Sequence, residues 1–280
     1  MDAGLTGKIA IVTGAGRIGG IGEAVARALA AEGASVVLSD IGHPLERFPD
    51  YEVAPRTDIE KIRADLVRGG AKAEIVYADV SKEADVASLV AGAVERFGRL
   101  DVMVNNAGIG LGLVPITELG VEAWRQNLDV MALGTMLGIR EAARQMIRQG
   151  GGGAIINVAS QAGKSGWPLL GAYCAAKFAI VGLTQVAAKE LGQHQITVNA
   201  VCPGTVETPL LDLRGGLWEA YSKFFGQSVE QLKTTILPQI PLGRFQKPQD
   251  VADLILFLAS SSGRYITGSA INTSGGQEMH

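Results

Sequence analysis

The chain has 280 residues, a formal net charge of −3 at pH 7 and 47% hydrophobic residues. This composition predicts a folded protein, and the sequence carries no long basic run that would bind a nucleic acid or a membrane surface. Two cysteines, Cys174 and Cys202, are too few for a disulfide framework or a zinc site, so we expect no bound metal.

The amino-terminal segment lacks the features of a targeting signal. Residues 1–14 hold no apolar stretch of signal-peptide length before the first glycine turn, and no run of about 18 apolar residues follows in the chain. The sequence therefore predicts a cytoplasmic protein without a membrane-spanning segment.

Seven short apolar runs rich in β-branched residues predict strands, at 8–14, 34–40, 73–80, 100–108, 153–160, 196–204 and 269–276. Longer amphipathic stretches between them predict helices, at 23–33, 57–69, 82–97, 120–148, 172–192 and 248–260. Strands that are apolar along almost their whole length are typical of a parallel sheet covered on both faces. The alternation predicts an α/β fold, a doubly wound parallel sheet of about seven strands flanked by helices, in a single domain over residues 1–280.

Two of the predicted helices carry signals at their ends. Gly33 is suited to close the first helix, because glycine readily adopts the left-handed conformation that ends many helices. Thr57 and Glu60 have the spacing of a capping box and predict the start of the second helix.

Two segments interrupt the alternation. Residues 41–56 contain three prolines and no clear period, which predicts a loop insertion. Residues 205–247 combine short helical patterns with Trp218, Tyr221, Phe224 and Phe225. Loops this long inside a compact domain are usually functional, and we interpret the second as a substrate loop.

The first predicted strand leads into a glycine-rich turn at 13–22, which opens the first helix. Glycines there let the backbone approach a pyrophosphate, and the helix N-terminus directs its N–H groups at the anion. Asp40 ends the second strand, where a carboxylate accepts hydrogen bonds from the adenosine ribose. The two features predict a dinucleotide site, with a structural glycine turn and a capping aspartate as the alternatives.

Asp40 favours NAD over NADP as the cofactor, because a carboxylate repels a 2′-phosphate and no basic residue closely follows it. Arg17 in the glycine turn favours the opposite choice, since a basic side chain attracts a phosphate. We expect NAD.

Ser160, Tyr173 and Lys177 form a candidate catalytic set. Ser160 ends the fifth strand, and Tyr173 and Lys177 lie one turn apart on the helix that follows, so they share a face. Tyrosine is a poor base at its free pKa of about 10. A neighbouring ammonium and an oxidised nicotinamide both favour the phenolate, which then takes the proton of an alcohol as hydride leaves the carbon. A surface Tyr–Lys pair is the alternative.

These motifs, in this order, resemble the short-chain dehydrogenase/reductase family. The resemblance is carried by Thr13-Gly14, Gly20-Ile21-Gly22, Asn105-Asn106-Ala107-Gly108, Ser160, Tyr173-Cys174-Ala175-Ala176-Lys177 and Pro203-Gly204, and it spans Gly7 to Gly276. It implies a Rossmann-like domain, a Ser–Tyr–Lys catalytic set and a homotetramer. It also implies cofactor contacts from Gly14, Gly16, Arg17, Gly20, Ile21, Gly22, Asp40, Asp79, Val80, Asn106, Ala107, Gly108, Tyr173, Lys177, Pro203, Gly204, Val206 and Thr208.

The sequence departs from the family pattern at three places. Five residues separate Gly14 from Gly20 where the family usually has three, so the turn should bulge. Met131 stands where the family usually has an asparagine that supports proton transfer behind the lysine, and methionine cannot hold such a water relay. Asn127 lies one turn earlier and is either a substitute or a plain helix residue. Our hypothesis is that proton release takes another route.

The third departure is the length of the loop at 41–56, which begins where the adenosine should lie. Family members that are coupled to the redox partner mycofactocin carry an insertion in this region that buries their NAD, and this loop looks similar in place. A lid over the cofactor is one hypothesis, and a plain surface excursion is the other.

The expected substrate wall is mostly apolar, which suits a carbon-rich alcohol or ketone. We expect it to include Gln161, Trp167, Leu210 and Trp218, with Ile109, Leu111 and Leu211 nearby. The run from Ser160 to Lys164 resembles the acetoin/2,3-butanediol and polyol dehydrogenases, and Gln161 is suited to bind a second hydroxyl or carbonyl. Together these features predict an NAD-dependent oxidoreductase that interconverts a secondary alcohol, such as a diol or polyol, and a ketone. An NADP-dependent carbonyl reductase and a non-catalytic nucleotide sensor are the alternatives.

Overall fold

The seven strands lie in one parallel sheet. The computed structural model describes residues 3–280 and places the strands in the order β3-β2-β1-β4-β5-β6-β7. Their bounds are Ile9–Thr13 for β1, Ser35–Asp40 for β2, Ala73–Tyr77 for β3, Val102–Asn105 for β4, Gly153–Val158 for β5, Ile196–Pro203 for β6 and Ala270–Thr273 for β7. The chain order reverses between β1 and β4, where doubly wound sheets bind their ligands. The predicted fold class is confirmed.

Ten α-helices connect the strands within the described residues. Their bounds are Ile21–Ala31 for α1, Arg56–Arg68 for α2, Glu83–Phe97 for α3, Val121–Asn127 for α4, Gly134–Gln149 for α5, Gly171–Leu191 for α6, Pro209–Asp212 for α7, Leu217–Phe225 for α8, Val229–Ile236 for α9 and Pro248–Ala259 for α10. The helices α7, α8 and α9 all lie in the segment 205–247, between β6 and α10.

Both faces of the sheet are covered, because successive strand residues point to opposite sides. On β1, Val12 packs with the buried residues of α1, α2 and α10, whereas Ile11 packs with those of α3, α5 and α6. Ile11 and Val12 are both fully buried. A strand that is buried on both faces therefore has apolar residues at consecutive positions, which explains the continuous apolar run in the sequence.

The capping box predicted at Thr57 and Glu60 is wrong. Helix α2 begins at Arg56 after Pro55, no side chain caps it, and the Pro55 carbonyl accepts a hydrogen bond from the Asp58 N–H. Pro55 occupies the N-cap position in an extended conformation, with φ −68° and ψ 148°, so the helix begins before Thr57. Thr57 consequently lies inside the first turn, where its hydroxyl is out of place for capping.

The helix predicted at 120–148 is continuous but changes geometry. Between α4 and α5 the residues Leu128–Leu133 form a wider π-helical turn. Such turns occur inside α-helices, frequently at functional sites. This one contains Met131, which is fully buried.

Helix α6 extends by a short 3₁₀ turn to His194, and the stretch Gly171–His194 is long and apolar enough to cross a membrane by length and composition alone. The stretch contains no uninterrupted apolar run of that length, because polar residues such as Lys177 and Thr184 interrupt it. Both side chains are buried in the protein, and the helix packs along β6.

Candidate functional site

The glycine turn lies at the carboxyl end of β1, where glycine is needed for close approach. A Cβ atom on Gly22 would overlap the carbonyl oxygen of Gly14, and one on Gly14 would lie 2.7 Å from the Cα of Ala107. Gly14 also has a φ of +65°, which side chains rarely adopt. The first turn of α1 thus packs directly on the turn that follows β1, and residues of both turns, among them Gly14 and Gly22, line the cavity.

The extra residues of this turn fold into a small loop of their own. The Gly20 N–H donates to the Arg17 carbonyl at 3.0 Å and closes it. The Gly16 N–H donates to Asp40 Oδ2 at 2.8 Å, so Gly16 holds this carboxylate and does not line the cavity. The bulge expected from the spacing is present, and it places Gly16 behind Asp40.

Asp40 lies at the end of β2 and lines the cavity. Its Oδ1 accepts a second hydrogen bond, from the Ile41 N–H at 2.9 Å. Burial raises the pKa of the carboxyl group, while the N–H groups of Gly16 and Ile41 and the charge of Arg17 act in the opposite direction. Each oxygen keeps a lone pair for a ligand hydroxyl.

Asparagine side chains fix the adjoining strand ends. Asn106 donates to the carbonyls of Thr13 and Gly14, at 2.8 and 3.1 Å, and so ties the end of β4 to the glycine turn. Within the sheet, Asn105 donates to Asn157, which donates to Thr184 on α6. These buried bonds set the positions of the strand ends before any ligand binds.

The loop at 41–55 reaches across the cavity. The Tyr51 hydroxyl accepts a hydrogen bond from the Gly110 N–H at 3.2 Å, and the Arg17 guanidinium donates to the Glu52 carbonyl at 2.5 Å. Leu45 is 5% exposed and belongs to the same apolar cluster as Met131 and Tyr173. The loop is therefore packed onto the site instead of standing away from it.

Ser160, Tyr173 and Lys177 meet at the carboxyl ends of β5 and β6. The Ser160 Oγ accepts from the Ala162 N–H at 3.1 Å, and the Lys177 Nζ lies 5.5 Å from the Tyr173 ring centroid. Lys177 is 3% exposed and donates to the Val158 carbonyl at 2.7 Å. A Cβ on Gly163 would lie 2.7 Å from the Lys177 carbonyl, so glycine lets this turn pack against α6.

Burial moves both ionisable groups of this trio toward their neutral forms. It raises the pKa of Tyr173 to about 12, partly offset by the Ser160 hydroxyl, and lowers the pKa of Lys177 to about 8. The lowering of the tyrosine pKa that the sequence predicted from the neighbouring ammonium is outweighed by burial. A cation bound beside Tyr173 would be needed to bring its pKa down.

Met131 occupies the place expected for it. A Cβ on Gly108 would lie 3.7 Å from its Sδ and 3.8 Å from the Lys177 Nζ, so the thioether lies on the lysine's side of that glycine. Asn127 is fully buried and donates to the Leu111 and Ala123 carbonyls. Its amide N–H groups therefore hold the helix start and the preceding loop.

One cavity joins these parts. Apart from Gly16, every residue predicted to contact the cofactor lines it, and so do Gln161, Trp167, Leu210 and Trp218. Leu111 is outside the wall. Sequence reasoning missed several lining residues whose position depends on loop packing: Leu45, Tyr51, Val53, Ala54, Leu113, Arg214, Ile236 and Gln277. Within residues 3–280, no three potential metal ligands lie together.

The chain is similar to a protein-family model and to several known enzymes. A family model described as enoyl-(acyl carrier protein) reductase matches residues 14–278. The (S)-acetoin-forming diacetyl reductase of Staphylococcus epidermidis is 40% identical over 274 residues, which cover 96% of this chain and 98% of that protein. Galactitol 2-dehydrogenase of Agrobacterium fabrum is 36% identical over 279 residues, which cover 98% and 99%.

A solved structure agrees with these sequences. A short-chain type dehydrogenase/reductase from Mycobacterium marinum superposes with a TM-score of 0.82 at 31% identity, over 98% of this chain and 97% of that one. The local resemblance to acetoin and polyol dehydrogenases is confirmed by the two relatives. The chain belongs to the short-chain dehydrogenase/reductase family.

Proposed function

We propose that this protein is an NAD-dependent oxidoreductase that interconverts a secondary alcohol and a ketone by hydride transfer. The observation that carries the proposal is the single cavity that has Asp40 and the glycine turn at one end and Ser160, Tyr173 and Lys177 at the other. A cavity of this kind supports one bound dinucleotide whose reactive end meets the catalytic side chains.

The residues present fit such a cofactor. Positions 14 and 22 have no room for a Cβ, so the turn leaves its backbone open toward the cavity. Asp40 has free lone pairs for ribose hydroxyls, and Asp79 and Val80 line the wall beside it. Lys177, Pro203, Gly204, Val206 and Thr208 line the cavity. In the proposal, Lys177 would hold the nicotinamide ribose and the other four would contact the nicotinamide. Bound NAD supplies the hydride acceptor and a positive charge.

Tyr173 is the group that takes the alcohol proton. Its pKa of about 12 makes it a weak acid, and positive charges beside it favour the phenolate. Ser160 holds the same substrate oxygen through its hydroxyl. Lys177, fixed by the Val158 carbonyl, keeps an ammonium next to the tyrosine ring. In the reverse direction Tyr173 returns the proton to the ketone oxygen.

Asp40 supports NAD as the cofactor rather than NADP. Its carboxylate is fixed by two backbone N–H groups, and Arg17 is held by the Glu52 carbonyl in the loop. The runner-up is an NADP-dependent carbonyl reductase, in which Arg17 leaves Glu52 for a 2′-phosphate. Steady-state kinetics with the two cofactors decide between them: we expect a higher kcat/KM with NAD, and equal or better efficiency with NADP contradicts the proposal.

The substrate class we propose is a secondary alcohol with a carbon-rich body, among which diols and polyols are the first to test. The names of the two relatives, a diacetyl reductase and a galactitol dehydrogenase, support this choice. The test is a panel of secondary alcohols, diols and polyols with NAD, followed at the absorbance of the reduced nicotinamide. No turnover of any member contradicts the proposed reaction.

The loop at 41–56 is the proposed cofactor lid. Its contacts with Arg17 and Gly110 bridge the two sides of the cavity, which a plain surface excursion would not do. We expect protein purified without added NAD to carry the nucleotide, as measured by absorbance and mass spectrometry after denaturation. A nucleotide-free protein contradicts the lid.

A non-catalytic nucleotide sensor has less support, because such a protein has no need of Ser160, Tyr173 and Lys177 together. Loss of turnover in Tyr173→Phe with NAD binding retained separates an enzyme from a sensor. The homotetramer implied by the family stays a proposal, tested by light scattering of the purified protein. The cytoplasmic location stays a prediction.

A further inference from the structure

Arg214 is a charged side chain of the cavity wall that makes no contact with another charged or polar group. Five charged side chains line the cavity: Arg17, Asp40, Asp79, Lys177 and Arg214. The first four make hydrogen bonds or ion pairs with the protein, whereas the Arg214 guanidinium makes neither within residues 3–280. Arginine stays charged at any physiological pH, so the wall carries a positive charge that no contact neutralises.

Glu219, in the first turn of α8, is the acidic side chain that interacts electrostatically with Arg214, but it is already bound. Its carboxylate accepts hydrogen bonds from the Lys223 Nζ and from the Gly215 N–H. These two donors hold the pKa of Glu219 below its ordinary value, and the charge of Arg214 contributes least. The two acidic side chains that line the cavity both lie in its cofactor half. The substrate half therefore leaves the charge of Arg214 for a ligand to balance.

The turn between α7 and α8 fixes the backbone of Arg214 at the wall. The Gly216 N–H donates to the Leu213 carbonyl at 2.7 Å, and Gly215 has a φ of 70°, which suits the third position of such a turn. A Cβ on Gly216 would lie 2.7 Å from the same carbonyl, so the turn needs glycine there. Leu213 and Trp218, on either side, are buried and line the cavity. The backbone is thus held, while the exposed Arg214 side chain can meet a ligand.

The rest of the wall in the substrate half is mainly apolar. It includes Leu170, Leu210, Leu211, Leu213, Trp218 and Ile236. A second cation lies beside it, because the Lys233 Nζ is 5.5 Å from the centroid of the Trp218 ring. Positive charges around an apolar cavity raise the local concentration of an anionic ligand. The cavity thus combines Ser160 and Tyr173 for a reacting oxygen, apolar contact for a hydrocarbon body, and an unpaired cation.

We infer that Arg214 binds a carboxylate of the substrate, so that the site selects secondary alcohols and ketones that carry a carboxylate over uncharged ones with the same carbon skeleton. This inference rests on the proposed function. The planar guanidinium donates two parallel hydrogen bonds to a carboxylate, a pairing that an uncharged ester does not reproduce. The hydrocarbon body then packs on the leucines and Trp218, and the reacting oxygen meets Ser160 and Tyr173.

The test uses the wild-type protein, saturating NAD, low ionic strength and two matched series of substrates. One series is the (ω−1)-hydroxy carboxylic acids of five to eleven carbons, and the other is their methyl esters, which keep the skeleton and lose the charge. The range of lengths varies the span between the reacting carbon and the carboxylate. At the best length we expect kcat/KM to be about tenfold or more higher for the acid, mainly through a lower KM.

Substitutions at Arg214 test whether this side chain causes the preference. Arg214→Met should bring the ratio of the two kcat/KM values close to one, and Arg214→Glu should reverse it, since a carboxylate at the wall repels the acid. About 0.5 M NaCl should narrow the preference of the wild type, because salt screens a contact that is open to solvent.

Arg68→Met is the matched control, because it removes the same charge far from the cavity. Arg68 ends α2 just before β3 begins, at the edge of the sheet opposite the site. This variant should leave the ratio and the rates unchanged. A loss of preference as large as that of Arg214→Met would show that net charge explains the result, and would overturn the carboxylate site.

Two further outcomes separate this inference from the proposed function. Equal or lower kcat/KM for the acid at every length in the wild type, or a full preference that persists in Arg214→Glu, overturns the carboxylate site and leaves the reaction class standing. A wild type that oxidises no member of either series, and no alcohol of the panel described above, overturns the proposed function, and the carboxylate site fails with it.

Discussion

The two halves of the cavity treat their polar groups differently. In the cofactor half, Asp40, Asn106 and Thr13 make hydrogen bonds to backbone atoms of the adjoining strands and turns, and one exception is the hydroxyl of Ser39, which has no partner within residues 3–280. In the substrate half, Gln161 Oε1 and Trp167 Nε1 have no hydrogen-bond partner within residues 3–280, and neither has Nε2 of Gln277, which lines the same cavity. A site that binds one fixed cofactor can be completed in advance, whereas a site that selects a substrate leaves the selecting bonds to be made by the ligand.

The largest expected effect is at the junction of the two halves. Tyr173→Phe removes the proton acceptor and should lower kcat by about 10³-fold or more, since positioned acid–base groups contribute this order of rate. NAD affinity, measured by fluorescence titration, should stay within a few-fold of the wild type. Retained turnover would assign the proton transfer to another group.

Tyr221→Phe is the control for this prediction. Burial raises the pKa of Tyr221 to about 12 as well, and it lines the same cavity from α8. Tyr221 packs with Leu169, Trp218 and Leu232, in a different apolar cluster from Tyr173. We therefore expect the kcat of Tyr221→Phe to fall by less than about tenfold. A collapse as deep as that of Tyr173→Phe would show that burial, and not proton transfer, explains the first result.

The next prediction concerns the glycine turn in the cofactor half of the cavity. Gly22→Ala places a methyl group against the Gly14 carbonyl, and the backbone there cannot yield without moving the glycine turn. We expect a loss of about 1–3 kcal/mol in unfolding free energy and weaker NAD binding. Gly92→Ala on α3 is the control, because its methyl would meet only Val76 at an ordinary 3.6 Å. Equal stability of the two variants would contradict the close approach.

A smaller effect is expected from the buried ammonium. Burial lowers the pKa of Lys177 from 10.5 to about 8, so between these values the unfolded chain binds more protons than the folded one. The stability of the wild type relative to Lys177→Met should therefore rise with pH across this window. The raised pKa of Tyr173 acts above pH 10 and is common to both proteins.

Urea unfolding of both proteins without cofactor, at about pH 7 and about pH 9.5, measures this difference. We expect the Met variant to be the more stable one at the lower pH, because it removes a charge buried in a low-dielectric environment. A difference that does not change with pH would mean that Lys177 keeps its ordinary pKa in the folded protein, as a well-hydrated ammonium does.

The smallest expected effect is at Met131. Met131→Asn restores the residue that is usual in the family, next to Lys177, and should raise kcat by a few-fold or leave it unchanged if protons already leave by another route. Met131→Leu is the control for packing alone, since it keeps an apolar side chain of similar volume. A folded Asn variant with lost activity would contradict the hypothesis of another route.

Much of the fold followed from local patterns. The bounds predicted for the seven strands agree with the structure to within a few residues at each end. Most of these runs are apolar, and the inner strands β1, β2, β4, β5 and β6 are buried on both faces, whereas β3 and β7 at the sheet edges are only partly buried. The predicted N-cap of α2, Thr57, was wrong because Pro55 occupies the N-cap position. The spacing of Thr57 and Glu60 alone does not show which of the two residues precedes the helix. The spacing of apolar residues in the sequence does not indicate the π-helical turn at Leu128–Leu133.

The sequence alone was sufficient for the order of the motifs, and with it the family, the sheet and the meeting of Ser160, Tyr173 and Lys177. These features depend on short spacings along one strand or helix, where geometry is fixed by the backbone. Tertiary structure decided what long-range packing controls. It placed Gly16 behind Asp40, brought Tyr51 to Gly110 across 59 residues, and left Gln161 and Trp167 without partners in the wall.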